Sequence, residues 1–201
     1  YTVTGSDSRG CFVTTDTVRV SVFPVPQVNA GPDITIPVGS STPLNANPSG
    51  DVVNISWTPA TGLSCTNCPN PVADPKKKTE YTVQVTNNGG CVNTDQVTIF
   101  VTCTNDNIFV PNTCSPDGDG NNELFYPRGR GIATVKSFRI FSRWGQQVFQ
   151  RQNFLINDAN AGWDGTFKGQ KLPPDVYVYI LEVYCENGAL INLKGDVMLV
   201  R

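Results

Sequence analysis

The feature that most constrains this chain is an alternation of apolar and polar residues, broken about every ten residues by glycine, proline or asparagine. The run Tyr81-Thr82-Val83-Gln84-Val85 is an example, with aromatic and β-branched residues at every second position. Such runs are typical of short strands that have one buried side and one solvated side. No segment shows the period of an amphipathic helix. Short strands at this spacing predict an all-β chain of antiparallel sandwiches.

The first half of the sequence contains an internal repeat. Tyr1-Thr2-Val3 and Gly10-Cys11 recur as Tyr81-Thr82-Val83 and Gly90-Cys91, an offset of 80 residues. This period is too long for a solenoid and suits tandem immunoglobulin-like (Ig-like) β-sandwich domains. Because the chain starts inside a strand pattern, we expect it to be a piece of a longer protein. The expected units are residues 1–23, the last hairpin of a preceding repeat, residues 25–102, a full repeat, and residues 107–201, a C-terminal domain.

The composition argues against several classes of function. The chain contains no histidine, which removes Ser-His-Asp and Cys-His catalysis and the commonest transition-metal ligand. A net charge of −2 argues against nucleic acid as a partner. No apolar run is long enough to span a membrane. Catalysis would depend on carboxylate pairs alone, and Asp51, Asp74 and Asp164 have no evident acidic partner. We therefore expect no enzymatic activity from this chain.

One polar loop in the second half has the pattern of a cation site. Acidic or amide side chains occur at alternate positions there, with glycines between the first three. Ca²⁺ takes roughly six to eight oxygen ligands, and loops with Asp or Asn at every second residue supply them. A plain turn of Asp, Asn and Gly is the alternative, since the bidentate glutamate of an EF-hand is missing. The candidate calcium ligands are Asp117, Asp119, Asn121, Asn122 and Glu123.

Seven cysteines in a strand-rich chain indicate an oxidising compartment, and the odd number leaves at least one thiol unpaired. Zinc would need a second ligand pair beside a Cys-x-x-Cys, and a redox motif would need a helix that Pro69-Asn70-Pro71 forbids. By the repeat, Cys11 and Cys91 are equivalent, so we expect both to be paired alike or both to be free. The predicted disulfides, with other connectivities open, are Cys65–Cys68 and Cys103–Cys185, and Cys114 remains.

The tryptophans and one apolar run predict where the cores lie. Trp57, on a middle strand, is predicted to be a core residue between two sheets. Trp144 and Trp163 each adjoin a glycine at a strand end, and we expect both to pack in tight turns rather than contact a ligand. Asp164 is expected to cap a turn. The run 176–183 is apolar at successive positions, which predicts a central strand covered on both sides.

The second half resembles a known family, the gliding-motility-associated C-terminal domain, which is the type B sorting domain of the type IX secretion system. The resemblance covers residues 107–201 in the order of the family's motifs. Three positions depart from the family pattern: Cys114 replaces a usual Phe, Asp117 a usual Asn and Glu123 a usual Asp. The motif residues that carry the resemblance, besides the polar loop, are Arg143-Trp144-Gly145, Trp163-Asp164-Gly165, Tyr177-Val178-Tyr179 and the terminal Arg201.

The resemblance implies a function that the composition alone does not supply. Residues 25–102 resemble the PKD-like or Ig-like repeats of large surface adhesins, and the C-terminal domain would be the signal for export across the outer membrane. The expected partners are the type IX outer-membrane translocon and a PorP/SprF-type outer-membrane protein, with the cell surface or the medium as the destination. The alternative is an extracellular carbohydrate-binding or adhesive module, which predicts an exposed row of Trp and Tyr on one sheet. The sorting function instead predicts buried aromatics and a C-terminal edge strand that is open to a partner.

Overall fold

The computed structural model describes residues 1–201, and the prediction of an all-β chain is confirmed. It contains 17 strands and two single-turn 3₁₀ segments, Asn105–Asn107 and Ala159–Ala161. No helix is long and apolar enough to cross a membrane.

The N-terminal segment is an isolated hairpin. Its strands are antiparallel, with Thr2 opposite Thr17, and every one of their side chains is exposed. It therefore contributes nothing to either core. The two strands are β1 (Thr2–Ser6) and β2 (Val13–Thr17).

The middle domain packs a four-stranded sheet, ordered β3-β8-β7-β5, against the short pair β4-β6. Alternation along the strands produces the core: Tyr81, Val83 and Val85 are fully buried, whereas Gln84 between them is exposed. Trp57 is also buried, as predicted, and its indole N–H donates to the Cys68 carbonyl at 3.0 Å. The strands are β3 (Ile34–Pro37), β4 (Thr42–Pro43), β5 (Val52–Thr58), β6 (Val72–Ala73), β7 (Thr79–Asn87) and β8 (Val92–Thr102).

The C-terminal domain has a five-stranded sheet in the order β10-β17-β16-β12-β13. Its inner face is covered by loops and short strand pairs that carry aromatic side chains into the core. Phe125 packs on Phe138 with ring centroids 5.5 Å apart, and Trp163 packs on Tyr177 at 5.1 Å. The strands are β9 (Ile108–Phe109), β10 (Thr113–Cys114), β11 (Arg128–Gly129), β12 (Ile132–Phe141), β13 (Gln147–Phe154), β14 (Thr166–Phe167), β15 (Gln170–Lys171), β16 (Asp175–Cys185) and β17 (Leu190–Leu199).

Each sandwich contains one parallel pairing, which the prediction of antiparallel sheets did not include. In the middle domain β3 runs parallel to β8, and in the C-terminal domain β10 runs parallel to β17. In both cases the first strand of the main sheet pairs with the last strand of the same domain. A long connection is needed to bring two strands parallel, and the rest of each sandwich supplies it.

Two expectations about the C-terminal sheet need correction. The apolar run forms β16, which is central as predicted, but its outer side is not covered: Val176 and Val178 are 41% and 43% exposed. The last strand, β17, is not an outermost strand, because β10 lies beyond it. The pairing with β10 extends only over Met198 and Leu199, so the remainder of that edge is open.

The turn between β16 and β17 lies against the middle domain. Cys185 is bonded to Cys103 in the linker, the Asn187 amide donates to the Val101 carbonyl at 3.0 Å, and Glu186 pairs with Lys76 at 3.2 Å. The opposite end of the same two strands points away from this junction. We call it the distal end, and it begins where Asp175 pairs with Leu199.

Candidate functional site

The polar loop that the sequence singled out lies at the distal end. It follows β10, whose Cys114 is paired with Leu199. The loop is held together by internal hydrogen bonds, because each of its carboxylates accepts a hydrogen bond from a nearby backbone N–H. Glu123 accepts from Gly118 at 2.7 Å and from Gly120 at 3.0 Å, and both glycines have positive φ. The backbone curls far enough to bring its acidic side chains to one side.

Three of the five predicted ligands form a cluster. One carboxylate oxygen from each of Asp117, Asp119 and Glu123 lies within 4.8 Å of the other two. Ca²⁺ binds oxygen at about 2.3–2.6 Å, so two ligands of one ion can be up to roughly 5 Å apart. The cluster therefore fits a calcium ion. Asn121 and Asn122 enter the loop through their backbones: Asn121 donates its N–H to Asp119 at 2.7 Å, and Asn122 accepts from the Ser115 N–H at 2.9 Å.

The Trp163-Asp164-Gly165 motif packs beneath the loop. Trp163 is buried, as expected, and its indole N–H donates to the Thr166 carbonyl at 2.9 Å. Asp164 caps the turn as predicted, accepting from both the N–H and the hydroxyl of Thr166. A Cβ at position 165 would lie 2.8 Å from Leu199 and 3.0 Å from Pro116, so only glycine fits there. The Gly165 carbonyl accepts from the terminal arginine, Arg201, at 3.1 Å.

The Arg143-Trp144-Gly145 motif forms the turn between β12 and β13, also at the distal end. The Gly145 N–H donates to the Ser142 carbonyl at 2.9 Å. The Arg143 guanidinium binds the Asp175 carboxylate at the start of β16. This hydrogen bond lowers the pKa of Asp175 and raises the pKa of Arg143. The expectation that Trp144 packs in the turn is wrong, because its side chain is 87% exposed.

An apolar strip continues from this turn along the outer side of the sheet. Val176 and Met198 are opposite each other in the β16–β17 register and are 41% and 49% exposed. Together with Pro174 and Val200 they line a shallow groove of about 250 Å³. Sequence reasoning did not predict Asp175 as the partner of Arg143, nor this strip. The signal available in the sequence was the apolar run 176–183 itself, because its outward-facing valines have no second layer to cover them.

Cys114 lies directly under the loop and is fully buried. Burial raises the pKa of its thiol to about 11, and the nearby carboxylates of Asp164 and Glu123 add to the rise. Both predicted disulfides, Cys65–Cys68 and Cys103–Cys185, are formed. Cys11 and Cys91 are both free, in agreement with their equivalence in the repeat.

No sheet carries an exposed row of Trp and Tyr. Trp57, Trp163, Tyr81 and Tyr177 are buried, and the exposed large side chains of these two types are Tyr1, Trp144 and Tyr184, on different units or at opposite ends of one domain. The surface that an aromatic carbohydrate platform requires is therefore not present.

Two disulfide-bearing β-sandwiches in series, with the motif residues gathered at the distal end of the second, define a modular β-sandwich protein. The family model of the CHU_C type IX secretion signal domain matches residues 108–199. The C-terminal domain is thus similar to this family of secretion signal domains over most of its length, as the motifs predicted. The match indicates a protein sorted by type IX secretion, with the cell surface or the medium as the destination.

The solved structures to which the chain is similar are distant in both sequence and structure. The PKD domain of the KIAA 1837 protein is 17% identical, covering 43% of this chain and 93% of that one, with a TM-score of 0.34. Titin domains Z1Z2 in complex with telethonin are 14% identical, covering 90% of this chain and 98% of that one, with a TM-score of 0.37. Dimeric latent PorU from Porphyromonas gingivalis is 12% identical, covering 87% of this chain and 20% of that one, with a TM-score of 0.34. Scores this low say nothing about function. No curated protein matches the sequence.

Proposed function

We propose that this chain is the C-terminal part of an adhesin-like protein of the cell surface, and that its last domain is read by the outer-membrane translocon of the type IX system. The observation that carries the proposal is the match of residues 108–199 to the secretion signal domain family. The repeats before it would be part of the passenger, and a PorP/SprF-type outer-membrane protein would be the partner of the signal. Gliding motility is the process in which such an adhesin would act.

The open part of the β17 edge supports recognition by a protein. Met198 donates its N–H to the Asn112 carbonyl, just before β10, and Val200 donates to the Cys114 carbonyl in β10. Because the register with β16 has no break, the N–H groups of the even-numbered residues before Met198 point to the same side. From Leu190 to Asp196 no strand pairs with that side. Pro111 interrupts the chain just before β10, so β10 extends no further. An extended peptide could add to this edge as a further strand.

We further propose that the carboxylates of Asp117, Asp119 and Glu123 hold a structural calcium ion. The ion would offset most of the negative charge of three acidic groups that are otherwise held close together by the loop. Calcium is scarce in the cytoplasm and abundant outside the cell, and extracellular modules bind it at roughly 10⁻⁴–10⁻³ M. The loop would then become rigid only after export.

Thermal unfolding with and without calcium tests this proposal. We expect the wild-type chain to melt several degrees higher in calcium than in EDTA, because an ion bound only by the folded state stabilises it by mass action. Asp119→Asn should remove most of that difference. Asp51→Asn, an exposed carboxylate in the middle domain, should retain it. An unchanged melting temperature in EDTA would rule out a structural ion.

The sorting function is tested by export of a fluorescent reporter. The reporter is fused before residue 1, since Cys103 must be present to pair with Cys185 and a fusion that starts at residue 107 lacks it. The fusion is placed behind a general export signal, in cells with and without a working type IX translocon. Translocon-dependent appearance at the surface or in the medium is expected. Retention in the periplasm of both strains would mean that this chain is not a sufficient signal.

A further inference from the structure

We propose that the distal end of the C-terminal domain is a docking surface for a protein of the secretion machinery, and that the indole of Trp144 is its anchor. This inference rests on the proposed sorting function and names the surface through which that function is performed. The surface consists of Trp144, the Arg143–Asp175 pair, and the apolar strip of Pro174, Val176, Met198 and Val200.

Exposure of Trp144 is the first observation behind this proposal. An indole is among the largest apolar side chains, and leaving it 87% exposed forgoes the stabilisation that burial would give. The other two tryptophans of the chain, Trp57 and Trp163, are buried and hydrogen-bonded. Exposed tryptophans of this kind are enriched among the residues that dominate protein–protein affinity.

The turn that carries Trp144 is fixed in place. Arg143 is held by Asp175 on the neighbouring strand, and Gly145 closes the turn on Ser142. A fixed turn loses little backbone entropy when a partner binds it, so the position from which the indole projects is preorganised. The exposed Val176 and Met198 begin one residue beyond Asp175, so the anchor and the strip lie at the same end of the sheet.

The charge around the surface indicates which kind of partner fits. Asp117, Asp119 and Glu123 lie at the same end of the domain, and they leave it negative even with one divalent ion bound. An anionic lipid surface would be repelled. In a symmetric dimer through this end, the two acidic loops would be brought towards each other. A protein that offers an apolar pocket with a basic rim matches both the strip and the charge.

The position in the molecule also favours this surface. The distal end is opposite the junction, where the turn between β16 and β17 is bonded to the linker through Cys185 and Cys103. Whatever precedes the C-terminal domain is therefore attached at the other end. A partner at the distal end can engage the domain without contact with the passenger, as a signal shared by different passengers requires.

The test uses the reporter fusion of the whole chain with Trp144→Ala. Loss of an anchor tryptophan typically weakens binding by about 30-fold or more, so we expect surface reporter to fall strongly while the melting temperature stays unchanged. Trp144→Phe should restore part of the export. Phe109→Ala is the matched control: Phe109 is a 61% exposed aromatic of the same domain, two residues from Asn107, which contacts the middle domain. It should export like the wild type.

Several outcomes would overturn the inference. Export of Trp144→Ala at the wild-type level would remove Trp144 as the anchor while leaving the sorting function intact. Loss of export with Asn192→Pro alone would move recognition to the open β17 edge. Trp144-dependent flotation with phospholipid vesicles, or Trp144-dependent dimers in sedimentation, would assign the surface to a membrane or to a second copy. If the wild-type fusion is not exported, the sorting function itself fails, and this inference falls with it.

Discussion

Cys114 is the one buried free thiol of the chain, and its environment explains why a thiol is accepted there. It is fully buried between β17 and the polar loop, with its Sγ 4.0 Å from the carbonyls of Glu123 and Trp163. A small, weakly polar side chain satisfies a site that has apolar walls and nearby carbonyls. The thiol is neutral at physiological pH and inert.

Stability should therefore decrease at alkaline pH through Cys114. Its pKa is raised from 9.0 to about 11 in the folded state, so the neutral thiol is favoured by folding. The stabilisation is complete below about pH 9 and is lost as the pH rises towards 11, by about 2–3 kcal/mol. Urea unfolding at pH 8 and pH 10.5 measures the loss.

Cys114→Ala is the control for this pH dependence. The variant is less stable throughout because it leaves a small cavity, but its stability should change less between the two pH values. The buried Tyr81 and the partly buried Tyr179 also have raised pKa values, because burial disfavours the charged form, and they contribute a slope of the same sign. An equal slope in both proteins would show that Cys114 does not titrate as described.

Local sequence predicted some of these residues and not others. Trp57 was correctly predicted to lie in a core, and Trp163 was correctly predicted to pack in a turn, where its indole N–H reaches the Thr166 carbonyl. Trp144 has the same local pattern of tryptophan beside glycine, yet it is exposed. The difference arises from what packs against the turn, which is a long-range property that a local pattern does not contain.

At the level of strands, β17 is the element on which the C-terminal domain depends. One of its sides is paired with β16 over ten residues, and the other is paired with β10 over two. The equivalent strand of the middle domain, β8, is better protected. Its Thr98 N–H is capped by Asp33, and Asp95 accepts from the Ala30 N–H. Such protection is how natural sheets avoid unwanted pairing.

Proline substitution should distinguish the two sides of β17. Asn192 and Glu182 are opposite each other in the register. The N–H of Asn192 faces the open edge, so Asn192→Pro should cost about 1 kcal/mol or less. Glu182→Pro, in the central strand, should cost about 3 kcal/mol or more, because it breaks the ladder. Chemical denaturation measures both, and equal losses would contradict the assigned direction of the Asn192 N–H.

The pattern of alternation predicted the strands but not their neighbours. The run 176–183 correctly indicated a central strand, because both sides of β16 are paired. The same run suggested cover on both faces, which Val176 and Val178 do not have. The parallel pairing of β10 could not be predicted, since two residues between prolines and a polar loop carry almost no strand signal. The candidate cation site was easier to predict: the alternation of acidic and amide residues at 117–123 correctly indicated that three carboxylates lie together.

At the level of the whole molecule, the junction fixes the C-terminal domain to the middle domain. Besides the Cys103–Cys185 disulfide, the Asn107 amide donates to the Val38 carbonyl at 3.3 Å. A Cβ on Gly39 would be 2.9 Å from the Gly131 backbone, so the two domains meet backbone to backbone at this point. Neither the Asn107–Val38 hydrogen bond nor the Gly39–Gly131 contact could be predicted from the sequence, because each depends on which turns of the two domains meet.

Removing this disulfide should destabilise the chain more than removing the other one. The sequence separation is 82 residues for Cys103–Cys185 and three for Cys65–Cys68. Chain entropy then predicts losses of about 4–5 and about 2 kcal/mol, respectively. Paired Cys→Ser variants in urea unfolding test the order, and small-angle scattering should show a wider spread of domain orientations only for Cys103→Ser/Cys185→Ser. A larger loss for the short loop would contradict the entropic account.

The place of β17 in the sheet has a consequence for synthesis. This strand is the last of the C-terminal domain to be synthesised, yet it lies between β16 and β10 and supplies the buried Val197 and Leu199. The sheet of the C-terminal domain cannot close until translation has passed residue 199. A product that stops before β17 would carry an unclosed sheet and would lack the buried Val197 and Leu199. Such a truncated chain should therefore not contain a folded C-terminal domain.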